Sequence, residues 1–270
     1  ERFGVGGFIK MRISRKLVGK PVSQMSGWVP AWGRAYTANW TSANTVSVID
    51  ISNNTLLTTI TGFSAPFAIA INLEGTHLYV ANYSPSGTVS VINTLTNTIV
   101  ATISAGSYPM AIAINPAGTR VYVAITGGSS VSVIDTSNNN VIGTITVGTT
   151  PYGIAFNPSG TRAYVSNLSS NSVSVIDTSN NTVVATISVG NLPWGVAVNP
   201  AGTRVYVGNS RSDSVSVIDT SNNTVIATIT GLGNTPRIIV FNLSGTRAYV
   251  ANSGGSNNIS VIGTSSNTVI

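Results

Sequence analysis

At 270 residues the chain is long enough for one large domain that buries roughly three quarters of its unfolded surface. With 42% hydrophobic and only 7% charged residues it is no disordered chain, and 27 glycines without a three-residue period exclude collagen. No Cys and a single His, His77, exclude a disulfide framework, a thiolate nucleophile and a Cys or His metal cluster.

The net charge of +6 is concentrated at one end. Residues 1–33 hold Arg2, Lys10, Arg12, Arg15, Lys16 and Lys20 against Glu1, a balance of +5. The remaining seven bases and six acids leave +1 for residues 34–270. A basic terminal segment followed by a neutral domain lacks the basic stripe of a nucleic-acid binder, so no nucleic-acid partner is expected. No apolar run reaches the roughly 18 residues of a membrane-spanning helix, so no transmembrane segment is expected, and no signal peptide is visible.

In chain order, residues 1–33 contain degenerate strand signals. Gapless extension of the later pattern places a first strand near residues 22–29, with Pro30 in the following turn, and residues 5–9 and 11–18 could supply one more strand that closes a ring. From residue 34 a repeat takes over. Val-Ser-Val-Ile-Asp stands at 46–50, 131–135, 173–177 and 215–219, with near copies at 89–93 and 259–263. Tyr36, Tyr79, Tyr122, Tyr164, Tyr206 and Tyr249 recur every 42 or 43 residues. Pro66, Pro109, Pro151, Pro193 and Pro236 each open an apolar run.

Each unit reads as four short strands, in the fourth copy at 152–156, 162–167, 172–177 and 182–188. They are rich in Val, Ile, Thr and Tyr and bounded by Asn, Pro, Ser and Gly. Asn157-Pro158-Ser159-Gly160 has type I turn chemistry. Four strands every ~42 residues is the period of a propeller blade, so the expected fold is an all-β propeller of four-stranded antiparallel blades, six favoured over seven. The small apolar first strand of each unit suits the crowded axis.

Aligning the copies also predicts a hairpin register. If Tyr122 faces Val133, then Arg120 faces Asp135, and the same offset pairs Arg34 with Asp50, Arg162 with Asp177 and Arg204 with Asp219. The second copy substitutes His77 and Asn93, and the sixth sets Arg247 against Gly263. Most of the domain's charge is thus assigned to structural cross-strand pairs, and His77 occupies an arginine slot in a degenerate copy.

Function is expected where the copies differ. The residue after each blade-opening proline changes from Phe67 to Met110, Tyr152, Trp194 and Arg237, a set that should ring the axial opening. The loops between second and third strands add Trp40, Tyr83, Arg211 and Asp213, with Tyr108 nearby. Aromatic side chains with a few polar groups around a concavity form a binding face.

The segments Gly-Thr-Arg-Val-Tyr-Val at 118–123 and 202–207, the Val-Ser-Val-Ile-Asp strings, and Tyr-Val-Ala-Asn at 79–82 and 249–252 carry a further signal. On them the chain resembles the YVTN-type β-propeller repeat family of microbial surface-layer and cell-surface proteins. The resemblance implies an extracellular or cell-surface setting and a protein or glycan partner. With no catalytic cluster in view, the expectation is a non-catalytic interaction or structural module, not an enzyme, with no cofactor and no metal. The alternative is a lactonase- or lyase-like propeller with an axial site. Such sites generally gather carboxylates, Asn or His around the axis, and the axial strands here carry no acid and no His.

Overall fold

The computed structural model of the chain describes residues 9–10, 33–40, 43–255 and 257–270. It contains six four-stranded antiparallel sheets, each with its strands in sequence order. Their inner strands are Ile9–Lys10, Pro66–Ile71, Pro109–Ile114, Pro151–Phe156, Pro193–Val198 and Pro236–Phe241. Successive inner strands pack on one another around a common hub, which makes the sheets the blades of a propeller. A 3-10 turn, Thr126–Gly128, joins the second and third strands of the third blade.

Side chains alternate along each strand between the two faces of a blade, and both faces are apolar because each blade lies between neighbours. In the fifth blade Val205, Val207 and Ile218 face back onto Tyr164, Val173, Val175 and Ile187 of the fourth. Tyr206, Val215, Val217 and Ile229 face forward onto Ile239, Ala248, Val250 and Ile262 of the sixth. Five such clusters join blades one to six in order. Among the described residues none joins the sixth blade to the first. Tyr36, Tyr79, Tyr122, Tyr164 and Tyr206 are accordingly no more than 2% exposed, whereas Tyr249 is only half-buried and Ile238, Val240 and Ile259 of the same blade are exposed.

Tyrosine also locks one blade to the next. The hydroxyls of Tyr122 and Tyr206 donate to Asn181 and Asn267, left-handed residues in the outer turns of the following blades. Asparagine tolerates that conformation and presents its amide oxygen there.

The hairpin register runs as the copies imply, with Arg34, Arg120, Arg162 and Arg204 opposite Asp50, Asp135, Asp177 and Asp219, and His77 opposite Asn93. Three of these couples are ion pairs of 2.7–2.9 Å: Arg120–Asp135, Arg162–Asp177 and Arg204–Asp219. The first couple differs. Arg34 donates instead to the Thr94 carbonyl of the second blade at 2.7 Å, while Asp50 accepts from Ser52. A carbonyl within reach of the guanidinium diverts it from the carboxylate across the strand.

The N-terminal strand has a different place from either expectation. Ile9 and Lys10 pair with Thr37 and Tyr36, as the inner strand of the first blade. The last blade carries its own outer strand, Thr268–Val269. Residues 22–29 lie outside the described residues.

Two outcomes are expected. Tyr206→Ala, which empties a blade interface, costs about 3–5 kcal/mol in urea unfolding, and Tyr249→Ala costs clearly less; equal losses would mean that the sixth blade's forward face is covered. Asp135, Asp177 and Asp219 are held below the ordinary carboxylate value, first by the hydroxyls of Ser137, Ser179 and Ser221, then by the same serines' amides and by the paired arginines. A depressed folded-state value stabilises fully above the unfolded value near pH 4 and is lost as pH falls through the folded one. Melting temperature should therefore fall below about pH 4, and an Asp-to-Asn triple variant should show a shallower fall.

Candidate functional site: an aromatic cup on the loop face

Each blade from the second to the sixth enters its inner strand by the same device. Ala65, Tyr108, Thr150, Leu192 and Thr235 adopt left-handed backbones with φ of 50–57°, and each precedes the blade-opening proline. The register with the second strand then slips immediately after the proline, leaving Phe67, Met110, Tyr152, Trp194 and Arg237 unpaired in β-bulges. A bulge re-aims its side chain out of the ladder, here toward the mouth of the hub.

Two hydrogen bonds stiffen this entry. The carbonyl of the left-handed residue accepts from the first loop residue after the second strand: Tyr83 to Ala65, Thr126 to Tyr108, Leu168 to Thr150, Ser210 to Leu192 and Ser253 to Thr235. In three blades its amide donates to a loop side chain of the preceding blade, from Ala65 to Asn44, from Leu192 to Asn171 and from Thr235 to Asp213. Asp213 thus occupies a structural asparagine position. Its Oδ1 accepts from the Thr235 amide at 2.7 Å, and among the described residues Oδ2 has no protein partner.

Together these loops enclose a cup of about 840 Å3. Trp40, Phe67 and Tyr83 form one wall, with centroids 5.2–6.3 Å apart. Tyr152 and Trp194 form the other, with ring centroids at 4.0 Å, and the Arg237 guanidinium lies 4.2 Å above the Trp194 ring. Met110, Arg211 and Asp213 complete the lining named from sequence. Tyr108 does not line the cup but backs Tyr83 at 5.1 Å. His77 stands at the far end of the second strand from Tyr83, against the Thr76 hydroxyl.

Arg237 is the charged member of the bulge ring. Its Nε is buried without a hydrogen-bond partner among the described residues. A guanidinium stacked on indole is stabilised by about 0.5–1 kcal/mol, yet keeps donors for an incoming oxygen. Burial pushes the Tyr152 hydroxyl well above its ordinary value, opposed by the Arg237 charge. Tyr152 therefore remains a protonated donor at neutral and mildly alkaline pH. Among the described residues no three His, Cys, Asp or Glu side chains cluster.

Sequence reasoning missed the polar rim supplied by Thr126, Thr150, Ser210, Asn234 and Thr235. The signal was the fixed place of Thr150 and Thr235 before the prolines.

The family model described as "Lactonase, 7-bladed beta-propeller" matches residues 144–269, from the outer strand of the third blade to that of the sixth. No curated protein matches the sequence. Among solved structures, a functionally unknown protein from Desulfotomaculum acetoxidans DSM 771 is similar with a TM-score of 0.75 at 19% identity, covering 90% of this chain and 82% of that one. Kuenenia stuttgartiensis hydrazine synthase has a TM-score of 0.59 at 19% identity, with 87% and 93% covered. These structures share the propeller fold; the family model is described as seven-bladed, while six blades are described here.

The lactonase match overturns the expectation that the chain is not an enzyme and points to an enzyme-like propeller. That expectation rested on counting acids and histidines. Opening a ring ester requires one base and a few well-placed donors, so a thin inventory does not exclude it.

The state of Tyr152 is open to direct measurement. In ultraviolet difference titration, Tyr152→Phe should remove a component that ionises later than an exposed tyrosine; loss of an early component would contradict the buried donor.

Proposed function

We propose that the chain is a lactonase-like propeller that hydrolyses a small ring ester in the cup on its loop face. The observation that carries this reading is the meeting of Arg237, Tyr152 and Asp213 around a cavity of ligand size, on the part of the chain that matches the lactonase model. Pockets of 300–1,000 Å3 with aromatic walls and few polar groups are typical small-molecule sites.

The chemistry follows from those three side chains. The lactone carbonyl oxygen accepts from the Arg237 guanidinium and the Tyr152 hydroxyl, and the aromatic walls hold the ring. Oδ2 of Asp213 takes a proton from a water as its oxygen bonds to the carbonyl carbon. The tetrahedral oxyanion is stabilised by the same two donors. On collapse the ring C–O bond breaks and the leaving oxygen recovers the proton from Asp213, yielding a hydroxy acid.

A pH-stat assay of the intact chain on simple γ- and δ-lactones tests this. Turnover should be measurable, Arg237→Met should lower kcat/KM by about 10²–10³-fold as loss of an oxyanion donor does, and Asp213→Asn should lower kcat. A chain that binds these lactones yet leaves them intact would overturn the reading.

A further inference from the structure

Below the cup lies a second cavity, of about 150 Å3, on the hub itself. Tyr152 and Trp194 line both spaces, so the smaller one continues the larger along their shared wall. The next residue after each bulge position is Ala68, Ala111, Gly153, Gly195 or Ile238, and all five line it. Where the bulge ring varies from phenylalanine to arginine, this ring beneath it carries no polar side chain, and four of its five members are the two smallest residues.

The two glycines leave room by necessity. A Cβ at Gly153 would stand 2.7 Å from the Trp194 carbonyl oxygen, and one at Gly195 2.0 Å from that of Arg237. Adjacent inner strands therefore approach too closely there for any side chain. The alanines face the same space without that constraint. The side chains lining the space are predominantly apolar, and its volume of about 150 Å3 is enough for a group the size of benzene.

We propose that this hub cavity is the subsite for an unbranched alkyl or acyl tail, so that the ligand is an amphiphile. Its polar ring meets Arg237 and Tyr152 in the cup, and its tail runs along the Tyr152–Trp194 wall onto Ala68, Ala111 and Ile112. The ring half of this ligand rests on the lactonase-like reading; the tail half rests on the cavity alone.

A homologous series of γ-lactones, from γ-butyrolactone through γ-decalactone to γ-dodecalactone, reads the tail site. For the intact chain kcat/KM should rise about fourfold per methylene and level off near a six-carbon tail, the size of a benzene-sized cavity. Ala111→Leu fills the hub and should bring the ratio between the longest and shortest substrates toward one. If that variant melts early, Ala68→Leu fills the same space from another blade. Binding of 1-hexanol, followed by tryptophan emission, needs no turnover and should weaken at least tenfold in the filled variant. Hexanol binding that is lost in the variant, with no lactone hydrolysed, supports the tail site and overturns the catalytic reading. Hydrolysis that is flat across the series, or hexanol bound equally by the filled variant, overturns the tail site and leaves the catalytic reading standing.

Discussion

Face-to-face burial between successive blades holds every other feature in place. Each interface sets a Tyr, two Val and an Ile of one blade against a Val, an Ile and a third apolar residue (Leu, Val or Ala) of the next, as Tyr206, Val215, Val217 and Ile229 meet Val250, Ile262 and Ala248. A sheet sandwiched in this way needs apolar side chains on both faces, which is why charge is so scarce in the repeat domain. It also explains why the residues shared by the copies are scaffold. The serines and asparagines of the strands serve the same packing: Asn167 and Asn209 are fully buried and donate to the Ser172, Ser174, Ser214 and Ser216 hydroxyls of the adjoining strand. The sixth blade shows the rule by its exception, because among the described residues Tyr249 and Val240 lack the neighbour that covers their counterparts.

The fold was readable because the repeat prints its own geometry. A ~42-residue period, a proline opening five of the six inner strands and an Arg–Asp offset on four of the six hairpins suffice to place four strands per blade and to set their register. Arg34 shows where such reasoning stops: its register partner is Asp50, but the Thr94 carbonyl on the next blade takes the guanidinium. A neighbouring blade is invisible to an argument confined to one hairpin. The place of the N-terminal strand was hidden for a similar reason: residues 5–9 read as a possible strand, but Ile9–Lys10 lies far in sequence from the Tyr36 edge it joins and carries no repeat signature.

The candidate site was readable in outline and not in depth. Variation among copies at one position singled out Phe67, Met110, Tyr152, Trp194 and Arg237, and the bulge after each proline gathers them at one mouth. What sequence could not supply is how the loops lean on one another. Asp213 looks like a stray acid until its bond to the Thr235 amide shows it in an asparagine's place. Trp194 looks like an aromatic anchor until Arg237 is found stacked on it. The smaller hub cavity arises from how closely Gly153 and Gly195 bring adjacent strands, a distance no residue list contains.

On the proposed reading, catalysis depends on where donors converge and not on how many acids the chain holds. The bulges place one cation and one neutral phenol on the same wall, and the loop turn beside them supplies a carboxylate already anchored at one oxygen. A crystal structure of the chain with a γ-lactam, which presents the same cyclic carbonyl but resists hydrolysis, tests this convergence most directly. The carbonyl oxygen is expected against Arg237 and Tyr152 with the ring between the aromatic walls. An empty cup at saturating lactam, or a lactam seated at the opposite end among the Arg–Asp turns, would contradict the account.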